Sequence, residues 1–305
     1  MKPIFAIALT LSAPMSVLAQ TTVFSDDFTT DSSLAAPPWY NLNNTSAASY
    51  ALNPTAGQGL ALTVTSGSTG KLNEAFAQFS STPVTLATTG DYLTLTVNFN
   101  SPSGMAADTG GLLVGLYNTQ GTPGTANEQG SGTGGSLGTT GATANDTGYF
   151  GIMGYNTSAS TSTKFFGRNP GGSPVNELAY YSTVGAANYT QLGSSAASGN
   201  ANLLNGTAYT LTYTVTKGAG SDAVAAVISQ GATTVDSWTE TDASGLHNSF
   251  DELDFGSYGK AGPVDINITG VSVVADIQAV PEPSTLALTG VGLLGLVARF
   301  RRARQ

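Results

Sequence analysis

Four neighbouring positions, Asp251-Glu252-Leu253-Asp254, are the best candidate for acid–base chemistry in this sequence. Successive side chains of a β-strand point to opposite faces, so Glu252 and Asp254 would share one face while Leu253 and Phe255 point inward. The Cα atoms of the two acids would lie roughly 6.6 Å apart. Such a carboxyl pair is compatible with hydrolysis of a sugar chain. The alternative is that both acids lie on a solvated strand face, as acidic residues usually do.

Few other side chains could support catalysis or bind zinc. The chain has no Cys and a single His, His247. These counts exclude a disulfide framework, a thiol nucleophile and a Cys-ligated zinc. One His cannot supply the three or four ligands that zinc needs, and no G-x-S-x-G sequence marks a serine nucleophile. We expect His247 to be a polar loop residue.

Calcium prefers oxygen ligands, and carboxylates are abundant here. Asp26 and Asp27 lie near the start of the body of the chain, and Asp265 lies near its end. If the first and last strands pair, the three carboxylates could meet and hold a calcium ion together with backbone carbonyls. The alternative is that Asp26 and Asp27 only cap the first strand.

Sugars also bind by stacking on exposed aromatic rings. Large aromatic side chains are usually well buried, so we expect Trp39 and Trp238 to lie in the core. Of the adjacent Tyr180 and Tyr181, one would face outward on a strand. The available aromatic residues are Trp39, Tyr40, Tyr50, Tyr180, Tyr181, Tyr189 and Trp238.

Alternating apolar and polar residues predict the β-strands that must position these side chains. The alternation is clear in residues 60–64, 93–99, 209–216 and 264–269, whereas residues 111–118 and 148–156 are apolar enough for strands buried on both faces. A change of apolar parity after Gly270 predicts a bulge. We therefore predict an all-β, two-sheet antiparallel sandwich. A β-helix or propeller would need a repeat of fixed period, which the sequence lacks.

One segment within this body, residues 119–147, is rich in Gly and Thr and almost without apolar residues. This composition predicts a long, flexible surface loop. A phosphate-binding loop is excluded, because the GxxxxGK[ST] pattern is absent.

The first 19 residues have the organisation of a secretory signal peptide. Lys2 precedes the apolar residues 4–11, and Val17-Leu18-Ala19 predicts cleavage between Ala19 and Gln20. A membrane anchor is the alternative, but the apolar stretch is too short to span a bilayer. The body of the protein then begins at residue 20.

The last residues, 280–305, have a different organisation: Pro281-Glu282-Pro283, then an apolar run, then basic residues. Residues 284–300 approach the length of a short membrane helix. A buried core helix is the alternative, but four arginines at its end favour a cytoplasmic stop signal. These arginines are Arg299, Arg301, Arg302 and Arg304.

This order of three elements at the C-terminus resembles the PEP-CTERM sorting signal of Gram-negative bacteria. The resemblance implies a membrane helix before processing, recognition by an exosortase-type sorting protease, and cleavage near Pro281-Glu282-Pro283. It also implies delivery to the cell surface or beyond, in bacteria that make exopolysaccharide.

The body, residues 20–279, resembles the concanavalin A-like, or laminin-G-like, jelly-roll sandwich. The resemblance is carried by Phe24-Ser25-Asp26-Asp27-Phe28, the runs at 111–118, 148–152 and 249–256, and the closing strand at 266–274. It implies that the first and last strands lie side by side. Glu252 and Asp254 resemble part of the E-x-D-x-(x)-E motif of laminarinase-type glycoside hydrolases. The final Glu is missing, which leaves no acid/base.

Charge narrows the range of functions. With both ends removed, five basic and eighteen acidic residues remain, a net charge of −13. Such a body does not bind nucleic acid, which requires a basic surface. We expect an exported, non-enzymatic surface or matrix protein associated with exopolysaccharide, with carbohydrate binding as its specific role. A secreted glycoside hydrolase or lyase of jelly-roll fold and a purely structural matrix protein are the alternatives.

Overall fold

The computed structural model of the chain describes most of residues 20–278. The described ranges are 20–29, 39–43, 50–55, 59–64, 71–107, 109–125, 128–129, 142–156, 163–169, 188–193, 200–259 and 263–278. Residues Gln20–Ile277 form one compact unit, and the signal peptide and C-terminal tail lie outside the described residues. The protein is all-β, as predicted: two antiparallel sheets form a jelly-roll sandwich.

Sheet 1 follows the order β15-β14-β13-β7-β18-β4-β3, and β1 also pairs with β18. Strands β7, β13 and β14 alternate a buried position with a more exposed one, which matches the period-2 pattern of the sequence. The strands are β1 Thr21–Asp26, β3 Tyr50–Thr55, β4 Gly59–Val64, β7 Tyr92–Ser103, β13 Ala208–Lys217, β14 Asp222–Gln230, β15 Thr233–Asp242 and β18 Val264–Asp276.

Sheet 2 follows the order β12-β11-β10-β8-β17-β5-β2-β9, in which β2 and β9 pair in parallel. Its central strands β8 and β10 are buried on both faces, as their apolar runs predict. The strands are β2 Tyr40–Asn43, β5 Lys71–Gln78, β8 Gly111–Asn118, β9 Glu128–Gln129, β10 Thr147–Gly154, β11 Lys164–Arg168, β12 Tyr189–Leu192 and β17 Glu252–Gly259. A small ribbon pairs β6 Val84–Thr85 with β16 Ser249–Phe250.

The predicted pairing of the first and last strands is confirmed. Strand β1 runs antiparallel to β18, with Phe24 opposite Val273 and Asp26 opposite Val271. The predicted bulge is also present, because the register of β18 against β7 shifts between Ile268 and Gly270. The bulge returns Val271 and Val273 to the inner face, where both are buried.

Two apolar layers pack against sheet 2. The main core lies between the sheets and includes Leu253 and Phe255 of β17. A second cluster covers the other face of sheet 2 and includes Tyr117, Phe150 and Phe166. The outer face of sheet 2 is therefore dry around β8, β10 and β17.

The structure describes both ends of the predicted flexible loop at 119–147, and they are held by hydrogen bonds. Thr119 donates to the Asp251 carboxylate through its backbone N and its hydroxyl, each at 2.8 Å. At the other end, residues Ala142–Asn145 form a 3₁₀ turn, and Arg168 donates to the Thr143 carbonyl at 2.9 Å. Thr119 and Thr143 are buried, whereas Gln120, Gly121 and Thr122 are exposed at the surface.

Within the described ranges, no helix has the length and apolar character needed to cross a membrane. The predicted membrane helix at 284–300 lies outside those ranges.

Candidate functional site

Strand β17 positions the acidic motif, and the predicted division of its faces is confirmed. Leu253 and Phe255 point into the main core, so Glu252 and Asp254 lie on the other face. That face is not solvated, however: Glu252 and Asp254 are both 0% exposed. The prediction of a solvated strand face is wrong because the second apolar cluster covers this side of sheet 2.

Each of the two buried acids faces another acid. The Glu252 carboxyl lies beside Asp146, and the Asp254 carboxyl lies beside Glu74. Burial raises the pKa of Glu252 and of Asp254 well above their usual values, and the neighbouring acids raise both further. Two adjacent buried carboxyls disfavour double ionisation, so we expect each pair to retain a proton.

Glycine makes room for the second of these pairs. Glu74 of β5 lies opposite Gly256 of β17, diagonally across from Asp254. A Cβ atom at Gly256 would come within 2.7 Å of Glu74 Cγ, closer than real side chains allow. On the other side, Gly115 of β8 is the partner of Asp254.

Tyr117 and Arg168 complete this buried group. The ring of Tyr117 folds over Gly115, where a Cβ would lie 2.2 Å from the phenol oxygen. Burial raises the pKa of Tyr117 well above its usual value, and the Asp254 and Glu74 carboxyls add to the effect. The guanidinium of Arg168 is fully buried and donates to the backbone carbonyls of Asp146 and Thr143. We call Glu74, Tyr117, Asp146, Arg168, Glu252 and Asp254 the acid cluster.

The acid cluster does not have the chemistry of a glycoside hydrolase site. Such a site needs one ionised carboxylate and one carboxylic acid, both in contact with the sugar. Here Glu252 and Asp254 lie beside other acids, which raise the pKa of both, and have no solvent exposure. Nor do the described residues contain three His, Asp or Glu side chains placed to hold one metal ion.

The sequence contains a signal for this burial that the analysis of single strands missed. Strand β8 is apolar on both faces, so residues from elsewhere in the chain must shield its outer face from water. Strand β17 pairs with β8, so the same shielding residues extend over the outer face of β17. Glu74, Tyr117, Asp146 and Arg168 come from four other parts of the chain, and no motif links them to Glu252.

The three carboxylates predicted to hold calcium are not brought together. Asp26 accepts hydrogen bonds from Trp39 Nε1 at 2.7 Å and from the Phe28 backbone N at 2.8 Å. It lies opposite Val271, six residues from Asp265 along β18, a separation of roughly 20 Å. The strands pair as predicted, but their register separates the ligands.

The other two carboxylates also have local partners. Asp27 accepts from the hydroxyl of Thr29 at 2.8 Å, and Asp265 accepts from Ser103 Oγ at 2.7 Å. The alternative use of Asp26 and Asp27, as local caps at the end of the first strand, fits these contacts.

His247 follows β15 in a loop, as predicted, but its side chain is buried. Its ring packs edge-on against Tyr149 with a centroid distance of 4.9 Å, and its Nε2 has no hydrogen-bond partner among the residues that the structure describes. Burial lowers the pKa of His247 to about 4, although Asp242 and Asp222 oppose the shift. His247 is therefore neutral at pH 7.

The aromatic residues considered for stacking are mostly committed to packing. Trp39 and Trp238 are buried in the main core, as expected. Tyr189 is buried too, and Tyr40 is half-buried against Phe76 with a centroid distance of 5.6 Å. The side chains of Tyr50, Tyr180 and Tyr181 lie outside the described residues.

The sorting residues Pro281, Glu282 and Pro283 and the four arginines Arg299, Arg301, Arg302 and Arg304 lie outside the described residues. Comparison with protein families identifies them by sequence. Residues 279–302 match the family described as the PEP-CTERM protein-sorting motif. The chain carries a PEP-CTERM sorting motif. This motif implies export, C-terminal anchoring before processing, and cleavage by an exosortase, as the resemblance of the tail predicted.

A comparison of this PEP-CTERM protein with curated proteins finds no match. Among solved structures, the exoplasmic/lumenal domain of VIP36, in its Ca²⁺/Man3GlcNAc-bound form, is 13% identical, with 88% of this chain and 94% of that chain covered and a TM-score of 0.46. Peanut lectin is 10% identical, with 86% and 100% covered and a TM-score of 0.43. A carbohydrate esterase from bacteriophage phi24B is 14% identical, with 85% and 100% covered and a TM-score of 0.41.

Proposed function

We propose that this protein is exported, cleaved by an exosortase at its C-terminal motif, and retained at the cell surface or released into the extracellular matrix. There its β-sandwich acts as a non-catalytic module associated with exopolysaccharide. The observation that carries the proposal is the PEP-CTERM motif at residues 279–302. The boundary of the compact unit at Ile277, just before this motif, supports removal of the tail without loss of a strand.

The acid cluster supports a role without catalysis. Its carboxyl groups are buried and contact one another, which is an arrangement for packing rather than for proton transfer to a substrate. The net charge of −13 favours solubility outside the cell and disfavours direct binding of anionic polymers. Carbohydrate binding is the specific role we propose, and calcium is a cofactor to be tested with it.

The sorting step is tested by mass spectrometry of the exported protein. We expect a C-terminus near Pro281-Glu282-Pro283, without the arginine cluster. Glu282→Gln should slow this processing, while the matched change Glu240→Gln on β15 should leave it unchanged. An exported wild-type protein that keeps residues 299–305 would contradict the proposal.

The role of the sandwich is tested separately, with a glycan array probed in calcium and in chelator. Binding to an extracellular polysaccharide supports the proposed role. Silence across all polysaccharides in both buffers would leave a structural matrix protein instead. Release of reducing sugar by the wild type, lost in Glu252→Gln, would replace the proposal by a hydrolase.

A further inference from the structure

The outward face of sheet 1 is a field of small polar side chains. It is built from the outward positions of five adjacent strands, β18, β7, β13, β14 and β15. Most of these residues carry a hydroxyl, and all except Gly270 are partly or fully exposed. We call this surface the hydroxyl face. Its residues are Thr94, Thr96, Asn98, Thr210, Thr212, Thr214, Ala225, Val227, Ser229, Thr234, Ser237, Thr239, Gly270, Ser272 and Val274.

The strand register arranges these side chains in straight rows. Thr96 lies between Ser272 and Thr212, and Thr94 lies between Val274 and Thr214. Neighbours within a row are about 4.8 Å apart, and rows are about 6.6 Å apart along the strands. A ligand that repeats along one direction can therefore meet the same chemistry several times.

Hydrogen bonds between neighbouring side chains hold this array in place. The hydroxyls of Thr94 and Thr214 lie 3.0 Å apart, and Thr210 Oγ1 donates to Asn98 Oδ1 at 2.8 Å. Branched Thr side chains also have restricted χ1 rotation. The donors and acceptors of the face are thus ordered before any ligand arrives, which reduces the entropy cost of binding.

The central residues listed for the hydroxyl face carry no charge, although the body of the protein has a net charge of −13. The acids at outward register positions of β18, Asp265 and Asp276, lie near its two ends. Strand propensity explains the choice of Thr. It does not explain the absence of Lys, Glu and Asp from the central part of this surface. Edge strands such as β15 usually carry charges that prevent association, yet its outward residues Thr234, Ser237, Thr239 and Thr241 carry none.

We propose that the hydroxyl face is the surface on which this protein binds a neutral polysaccharide. This inference rests on the proposed exopolysaccharide association and adds to it the binding surface and the ligand class. Rows of hydroxyls match a polymer of hydroxyl-bearing rings, because each hydroxyl both donates and accepts. An anionic polymer is disfavoured, since the face offers no basic group and the surrounding body is acidic.

Each single contact on this face is weak, because every hydroxyl already hydrogen-bonds with water before binding. Useful affinity must come from many contacts along one extended chain. The inference therefore predicts that long polymers bind and that mono- and disaccharides do not compete at equal sugar concentration.

The test is co-sedimentation of the full chain, kept soluble in mild detergent, with insoluble cellulose and dextran gel as neutral polymers and alginate gel as an anionic one. The triple variant Thr96→Val, Thr212→Val and Thr214→Val removes three hydroxyls and keeps side-chain shape and strand propensity. Thr212→Glu places a charge at the centre of the face. The matched control, Thr85→Val, Thr190→Val and Thr233→Val, changes solvent-exposed strand threonines outside the hydroxyl face.

We expect wild type and control to sediment with at least one neutral polymer, and both face variants to bind about tenfold more weakly. Thermal unfolding of each variant confirms that it is folded. Equal binding by the face variants overturns the assignment of the face but leaves the exopolysaccharide association standing. No binding of the wild type to any polymer overturns both. Preference for alginate overturns the neutral class, and a wild-type dimer that the face variants abolish assigns the face to a second copy instead.

Discussion

The phenol of Tyr149 lies 2.7 Å from Oδ2 of Asp242 and joins the two sheets of the sandwich by a hydrogen bond. Tyr149 belongs to β10 of sheet 2, whereas Asp242 ends β15 of sheet 1. The phenol oxygen of Tyr149 also lies 2.9 Å from Asp222 Oδ2, and it accepts a hydrogen bond from the His247 backbone N at 3.3 Å. Because a phenol carries one proton, the two carboxylates compete for it.

Each of the two carboxylates also has a donor of its own. Lys217 forms an ion pair with Asp222 at 3.0 Å, and the backbone N of Ser244 donates to Asp242 at 2.9 Å. Burial alone would raise the pKa of Asp242, but its hydrogen bonds from Ser244, Tyr149 and Leu246 outweigh this and hold the pKa at about 2. The Asp242 carboxylate is therefore ionised at neutral pH, and the Tyr149 hydroxyl is one of the donors that hold it so.

Replacing Tyr149 by Phe should destabilise the protein by about 1–3 kcal/mol, because buried carboxylates lose a donor. The matched change is Tyr213→Phe. Its hydroxyl is also buried but has no hydrogen-bond partner within the described ranges, so its removal should be neutral or stabilising. Urea denaturation at pH 7 measures both. Equal losses in the two variants would show that ring packing alone, and not the hydrogen bond, matters at Tyr149.

His247 should make stability depend on pH below neutrality. Its pKa falls from 6.5 to about 4 on folding, so between these values the unfolded chain binds a proton that the folded protein does not. Stability from the neutral ring is complete above pH 6.5 and is lost as the pH falls towards 4, by up to roughly 3 kcal/mol. His247→Gln should lose less stability over this window than the wild type does. Because the chain has no other His, parallel pH profiles would contradict the buried, neutral assignment.

The fold was predictable because the sequence features that determine its strands lie a few residues apart in the chain. Alternation in β7 and β13 specifies which face of each strand is buried, and the change of parity at Gly270 locates the bulge. Each of these features depends on residues a few positions apart. The pairing of first and last strands followed from family resemblance rather than from any property of β1 itself.

The arrangement of the candidate site residues was not predictable, because it depends on the register between paired strands and on which residues cover the outer face of sheet 2. Asp26 and Asp265 lie on paired strands, but only the register shows that they are six residues out of step. Glu252 has the sequence surroundings of a solvated acid, and its burial depends on strands and loops that are distant in the chain. The sorting motif could be recognised without knowledge of strand register or burial, because it is a linear sequence.

Gly115 should be intolerant of a side chain because the Tyr117 ring occupies that space. A Cβ at Gly115 would lie 2.2–2.4 Å from three atoms of this ring. We expect Gly115→Ala to cost about 1–3 kcal/mol by overpacking. In a Tyr117→Leu background the same change should cost much less, which a double-mutant cycle of unfolding free energies measures. Additive costs would show that Tyr117 does not fold over Gly115.

The acid cluster should destabilise the protein as the pH rises, which is opposite to the effect of His247. The pKa of Asp254 is raised in the folded protein by burial, with Glu74 adding to the rise. Its contribution to stability is complete below the ordinary Asp pKa and is lost as the pH rises towards the folded value, because in this range folding must take up a proton that the unfolded carboxylate has already released. Asp254→Asn removes this proton while keeping a donor for Glu74.

The variant Asp254→Asn should therefore gain stability relative to the wild type as the pH rises from 4.5 to 8.5. Urea denaturation midpoints across this range measure the difference, and Asp236→Asn on β15, a half-buried aspartate outside the acid cluster, is the matched control. If the profiles of Asp254→Asn and wild type run parallel, Asp254 is already ionised and Arg168 must supply the compensating charge. The pH dependence of the stability difference between Asp254→Asn and the wild type thus distinguishes a protonated acid pair from a buried ion pair in sheet 2.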